Sequence, residues 1–167
     1  IMDPTAFMRM GEHDVVIPLV VITEIDKLKN KGTSVSVNAR QVSANLDKFF
    51  GPDLYKDGIS LGDGKGKLSI FNLKDLNPEV KKMFREDTPD NRIISVALGV
   101  RDKILREENK MKAQKKKVNS KQVILITNDN NLRFKAGAFN LQVEKYRNDT
   151  IRDIDSLYSG VEKIHLN

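Results

Sequence analysis

Residues Val123 to Ala136 read VILITNDNNLRFKA, and this stretch decides the fold. Val123 to Ile126 are apolar and mostly β-branched, which suits a short buried strand. Thr127-Asn128-Asp129 then ends the apolar run with residues that favour turns and helix starts. A short segment carrying Arg133 and Lys135 follows. Strand, polar turn and helix in succession form the unit from which parallel sheets are built, so the stretch predicts an α/β domain.

The same pattern recurs on either side. Asp14 to Pro18 predicts a strand, a turn at Pro18, and a helix from Val20 to Lys29, followed by a polar turn around Gly32. Val35, Ala39, Val42, Leu46 and Phe49 recur at intervals of four and three, which is one apolar face of a helix ended by Gly51 and Pro52. Lys67 to Leu73 (KLSIFNL) alternates and predicts a strand at a sheet edge. Pro78 to Arg85 predicts a short helix. Thr88 then fits an N-cap, with Pro89 at the first helical position and Asp90 in the first turn. That longer helix turns Ile93, Ile94, Ala97, Leu98, Ile104 and Leu105 inward and runs out into a lysine-rich loop, Lys110 to Lys121. Leu141 to Glu144 predicts a last strand. The polar stretch from Tyr146 to Asn167 predicts a linker.

The loop from Asp53 to Lys67 contains GDGKGK, which invites comparison with a phosphate loop. The comparison fails. Lys67 is followed by Leu68 rather than Ser or Thr, and position 61 is Leu rather than Gly. A glycine-rich turn is the better reading.

Composition narrows the chemistry. With 167 residues, 39% hydrophobic and 31% charged, the chain is expected to be one globular domain. It has no cysteine, which excludes disulfides, thiolate zinc sites and cysteine nucleophiles. His13 and His165 are the only histidines and form no HExxH pair. A metal site would therefore be built from oxygen, which favours Mg²⁺ or Mn²⁺. The longest apolar run, Val15 to Ile22, is too short to span a bilayer, and the expected location is cytoplasmic. The net charge is +6, and Arg101 to Lys121 alone holds nine basic and three acidic residues. Such a local patch suits either a solvated loop or a polyanionic partner such as nucleic acid.

Ligands of parallel sheets bind beyond the carboxyl ends of the strands. Three carboxylates fall there: Glu24 one turn into the first helix, Asp90 at the start of the long helix, and Asp129 just past the Val123 to Ile126 strand. Singly, Asp90 and Asp129 read as stabilisers of helix N-termini and Glu24 as a surface residue. Together on one rim they would repel one another unless some were protonated or a divalent cation were bound.

VIPLVVITEIDKLK (Val16 to Lys29), PDNRIISVAL (Pro89 to Leu98) and VILITNDNNLRFKA together resemble the PIN nuclease domain. In detail they resemble the N-terminal PIN domain of PhoH-family proteins, in which a P-loop ATPase domain follows. DIDSLYSG (Asp153 to Gly160) is similar to the linker before that ATPase. The resemblance implies a Rossmann-like, three-layer α/β/α domain with a mainly parallel sheet over residues 1–148, and a linker over 149–167. It also implies a Mg²⁺- or Mn²⁺-dependent ribonuclease acting on single-stranded RNA, and it is compatible with a homo-oligomer. Position by position, the second, third and fourth acidic residues of the family match Glu24, Asp90 and Asp129, and Thr127 matches the hydroxyl two residues before the last. The family's first acidic residue lies in a DTNV-like motif. Ile1-Met2-Asp3-Pro4 resembles the sequence just after that motif, and Asp3 matches a later acidic position. The sequence as given is thus expected to lack the first strand and first acidic residue, and to be inactive on that account.

On this reading Thr127 orients Asp129, and Arg133 grips a phosphate through its forked guanidinium with Lys135 as a second positive charge. Asn128 and Asn131 are turn and cap residues. Lys112, Lys115, Lys116 and Lys117 attract RNA phosphates without reading sequence. With no Trp and ten Phe and Tyr residues, platforms for base stacking are not evident. The main competing reading keeps the fold without catalysis, as an RNA-binding or regulatory module. A receiver-like phospho-acceptor domain lacks the adjacent acidic pair after an early strand, and a dinucleotide-binding domain lacks GxGxxG.

Overall fold

Val15–Pro18 (β1) passes directly into Leu19–Leu28 (α1), because Pro18 closes the strand with an extended backbone and needs no linker before the first helical residue. The computed structural model describes residues 3–32 and 34–147. The linker expected over 149–167 and the Ile1-Met2 start lie outside the described residues. Ser34–Asp47 (α2) packs back on α1, and Ile25, Ala39 and Val42 close the seam between them. Ile59–Ser60 (β2) and Lys67–Phe71 (β3) form an antiparallel hairpin. Pro78–Met83 (α3), Pro89–Ala113 (α4), Ile124–Ile126 (β4), Asn130–Gly137 (α5) and Gln142–Glu144 (β5) complete the order.

β1 and β3 pair in parallel from Val15↔Leu68 to Pro18↔Phe71, and β4 and β5 from Ile124↔Gln142 to Ile126↔Glu144. Among the described residues two of the three strand pairings are parallel, as the sequence predicts. Two details differ. β3 lies in the middle of its sheet, in the order β1-β3-β2, and not at the edge. The alternation in KLSIF buries Leu68 and Ile70, which is equally compatible with either position. The neighbour that makes β3 central is β2, a two-residue strand hidden in the stretch read as loop. Among the described residues the strands also form two sheets, and β1 and β4 each have one hydrogen-bonded neighbour.

The glycine-rich segment is an ordered turn. Leu61 N–H donates to Gly66 O at 3.0 Å, and Gly66 N–H donates to Gly11 O at 3.0 Å. Gly66 is buried, and a Cβ there would overlap the His13 carbonyl. This close backbone approach, not a phosphate, is what requires glycine at that position.

Two larger cores flank the strands. Val80, Ile94, Leu98, Leu132, Phe139 and Leu141 join α3, α4, α5 and β5. Phe7, Leu54, Leu61, Leu68 and Ile70 fill the space beside β3. Fully burying each large aliphatic side chain of this kind contributes about 1.5–3 kcal/mol. The inward list for α4 holds for Ile94, Ala97 and Leu98 and fails for Leu105, which is 49% exposed. Ile104 is half-buried and Glu108 is buried, so this part of α4 is still covered on one side, and Leu105 faces away from that side. α4 also continues to Ala113, and Lys110 and Lys112 are helical rather than in the loop. No helix among the described residues is long and apolar enough to cross a membrane.

Candidate functional site

Each of the three predicted carboxylates has a specific partner. Glu24, in the body of α1, accepts from Lys27 Nζ at 2.8 Å, and the two side chains are largely solvated. Such a pair adds little to stability. Asp90 sits in the first turn of α4, whose start is built as the sequence predicts. Thr88 Oγ1 accepts from Asn91 N–H at 3.3 Å, and Pro89 takes the first helical position. Asp90 Oδ2 accepts from Lys135 Nζ at 2.9 Å, with both side chains 35% exposed.

Asp129 is the N-cap of α5. Its Oδ1 accepts from Leu132 N–H at 3.0 Å, which satisfies one of the unpaired donors at the helix start. Thr127 acts on the backbone of this turn. Its Oγ1 accepts from Asp129 N–H at 3.2 Å, so the hydroxyl fixes the main chain and not the carboxylate. Thr127 N–H donates to Glu144 O at 2.9 Å and extends the β4–β5 ladder by one residue. That register brings Glu144 to the same rim, with its Oε1 accepting from Gln142 Nε2 at 3.0 Å. Glu144 is a carboxylate that sequence reasoning passed over. The signal was an acidic residue closing the LQVE strand.

The structure links α4 to α5 through Asp90 and Lys135, but Asp129 and Lys135 stand at opposite ends of α5. Six residues separate them, roughly 9 Å along a helix axis. Among the described residues no three acidic or histidine side chains stand together as a donor set for a metal ion. The donor chemistry suits a hard cation, since every candidate is a carboxylate. The geometry does not supply a closed site, and each of the three side chains already has a donor.

Arg133 is half-buried on α5, and its Nε has no hydrogen-bond partner. The lysines lie elsewhere. Lys112 is in the last turn of α4, and Lys115, Lys116 and Lys117 follow it, all exposed. From Asp90 to Lys112 the helix rises roughly 33 Å. The basic patch and Asp90 thus occupy opposite ends of α4. Glu108, buried at 9% exposure, accepts from Ser120 Oγ and Lys121 N–H, each at 3.0 Å, and pins the far side of the lysine loop. Lys121 Nζ reaches Asp14 Oδ2 at 3.0 Å, at the amino end of β1. Burial works to raise the pKa of Asp14, but the Lys67 N–H and the Lys121 ammonium outweigh it and hold the carboxyl below its ordinary value.

Comparisons with known proteins agree with this architecture. Protein PhoH2 of Bacillus subtilis (strain 168) is 34% identical over 165 residues, covering 98% of this chain and 35% of that protein. Protein PhoH2 of Mycolicibacterium smegmatis is 31% identical over 146 residues, covering 86% of this chain and 29% of the relative. Protein PhoH2 of Thermobispora bispora is 26% identical over 166 residues, covering 98% and 33%. The chain therefore spans about a third of the length of these curated relatives. No solved structure matches it. The family model described as "PIN domain" matches residues 1–147, and the chain belongs to the PIN domain family.

Proposed function

We propose that this chain is a ribonuclease domain that hydrolyses phosphodiester bonds of single-stranded RNA, using Mg²⁺ or Mn²⁺ associated with Glu24, Asp90 and Asp129. The observation that carries the reading is the join between α4 and α5. The Asp90–Lys135 contact ties the first turn of α4 to the last turn of α5, the helix that Asp129 caps just past β4. PIN domains are generally nucleases and typically depend on divalent metal, and the family match supports both assignments here. When bound, a divalent cation supplies an activated water and neutralises charge on the phosphate. The protein's own part is positioning. Thr127 fixes the Asp129 turn, and Arg133 and Lys135 on α5 supply positive charge for a phosphate. In the intact protein we place a P-loop ATPase domain after this one, and its location in the cytoplasm.

A second reading has one observation in its favour. The described carboxylates do not form a metal-donor set, which suits an RNA-binding or regulatory module without turnover. Cleavage of single-stranded RNA by the intact protein separates the two readings. The nuclease reading expects cleavage with Mn²⁺, arrest by chelator, and loss of cutting in Asp90→Asn. RNA binding with no metal-dependent turnover in the intact protein supports the second reading and overturns the first.

A further inference from the structure

Phe134 is the most exposed large hydrophobic residue among those described, at 80%. The fold of α5 does not use it. Leu132 and Ala136 turn the other face of the helix into the core. Phe134 lies two residues from each, roughly 200° around the axis, and therefore stands outward. Residues three and four away are its neighbours on the helix surface. Asn130 and Asn131 on one side and Gly137 and Ala138 on the other are all exposed. A carbon added at Gly137 would meet no atom within 4 Å. One side of the ring is thus left open by small residues, and the other is bordered by two amides.

A single exposed apolar side chain is ordinary on a protein surface. The setting of this one is not. Arg133 and Lys135 flank it in sequence, each about 100° around the axis on either side. Asp129, which caps the same helix, is five residues away, roughly 7.5 Å along the axis. Phe50 and Tyr55, the other strongly exposed aromatics among the described residues, follow α2, on segments that carry none of Glu24, Asp90 and Asp129. An open ring between two cations is complementary to a nucleotide, which joins an aromatic base to phosphates. Resting on the reading of this chain as acting on single-stranded RNA, we propose that Phe134 is a stacking platform for one base of that RNA, with positive charge for the phosphates on either side. Asn130 and Asn131 offer donors and acceptors to the edge of that base. Every base has a π-face, so the platform holds the strand beside Asp129 without choosing a sequence. The lysines beyond α4 and this ring then have different tasks: the lysines attract the backbone, and the ring fixes a base against α5.

The test is the affinity of the intact protein for a labelled single-stranded RNA of about ten nucleotides, within the range of single-strand binding sites. Fluorescence anisotropy measures it, with chelator present so that binding is read apart from cutting. Phe134→Ala is expected to bind about tenfold more weakly. Phe134→Leu keeps apolar bulk without a π-face and is expected to be weakened as well. Phe134→Trp is expected to bind at least as tightly as the unmutated protein. The salt dependence should be the same in all four, because no phosphate contact is lost. All four should melt alike, because the ring is exposed. If the unmutated protein binds RNA and Phe134→Ala binds it equally well, the platform is overturned and the RNA reading stands. A loss in Phe134→Trp as large as that in Phe134→Ala overturns it too. So does a change in the sedimentation of Phe134→Ala alone with RNA affinity retained, which would place a second copy of the chain over the ring. If the unmutated protein binds no single-stranded RNA, the reading beneath the proposal fails and the platform fails with it.

Discussion

The Tyr146 hydroxyl donates to Asp3 Oδ2 at 2.6 Å, across 143 residues of chain. Asp3 also accepts from Thr5 N–H and Thr5 Oγ1, each at 2.8 Å, and lies 3.7 Å from the Arg9 guanidinium. The Tyr146 and Thr5 donors hold the Asp3 carboxyl below its ordinary value against the opposing effect of burial. Burial and the Asp3 charge together push Tyr146 up to about 12. Tyr146 therefore belongs to the folded domain and not to a linker.

This clasp predicts a pH dependence with two limbs. Asp3 is depressed in the folded state, so its contribution is present above its ordinary value of 3.8 and is lost as pH falls below it. Tyr146 is raised in the folded state, so its contribution is complete below pH 10.0 and is lost as pH climbs toward about 12. Tyr146→Phe is expected to cost about 1.5–3 kcal/mol near neutral pH, the scale of a hydrogen bond to a charged group. Thermal unfolding measured across pH should show the difference between the two proteins shrinking at both extremes. A variant that melts with the unmutated protein at pH 7 removes the clasp from the stability account.

Gly66 gives a second prediction. Alanine there would drive a methyl group into the His13 carbonyl, where backbone faces backbone and neither can swing away. Gly66→Ala is expected to cost about 2–3 kcal/mol, as for other overpacked interiors. Gly64→Ala is the control. Its φ is +67° and no atom lies within 4 Å of the added carbon, so only backbone strain of about 1 kcal/mol applies. Equal unfolding midpoints for the two variants in urea would refute the steric explanation.

The parts of this fold written in local chemistry were legible. Thr88-Pro89-Asp90 marked the start of α4, and Asp129 was recognisable as a cap, because N-capping is a contact within three or four residues. The alternation in KLSIF revealed a strand but not its place in the sheet, because that place depends on β2, a partner of two residues with no pattern of its own. The site divides the same way. Asp90 and Asp129 could be placed on their helices from sequence, whereas the Lys135 ammonium on Asp90 is a contact between residues 45 apart. The distance between the lysine patch and Asp90 was hidden in the length of α4. Its apolar face fades after Arg101 while the helix continues to Ala113.

Asp129 allows its two roles to be separated. Asparagine caps a helix about as well as aspartate, so Asp129→Asn should hold α5 with a loss of roughly 0.5 kcal/mol, mostly the charge at the helix N-terminus. Asp129→Ala removes the cap as well and should lose about 1 kcal/mol more. Cleavage is expected to fall alike in both, by more than roughly the tenfold seen when a group that merely supports a metal ligand is removed. Melting curves paired with initial rates on single-stranded RNA decide the matter. If Asp129→Asn cuts at the full rate, Asp129 is a cap and not a site residue.

The last prediction follows from the separation along α4. Lys112, Lys115, Lys116 and Lys117 lie beyond the reach of a phosphate being cut beside Asp90, since the helix between them rises roughly 33 Å. They can act only as a distant anchor, and only on a strand long enough to reach them. Replacing all four with alanine should leave stability nearly unchanged, because their side chains are exposed and Glu108 still pins the loop through Ser120 and Lys121. Binding of a long single-stranded RNA should lose salt sensitivity, the log–log slope becoming shallower by about 0.7 for each lysine that meets a phosphate. An RNA of about four nucleotides, the short end of single-strand binding sites, should bind and be cut as before. The apparent KM should therefore rise for long RNA alone, with kcat retained for both. An equal loss on short and long RNA would mean that the lysines reach the cleavage site directly and that the chain runs a different course past α4.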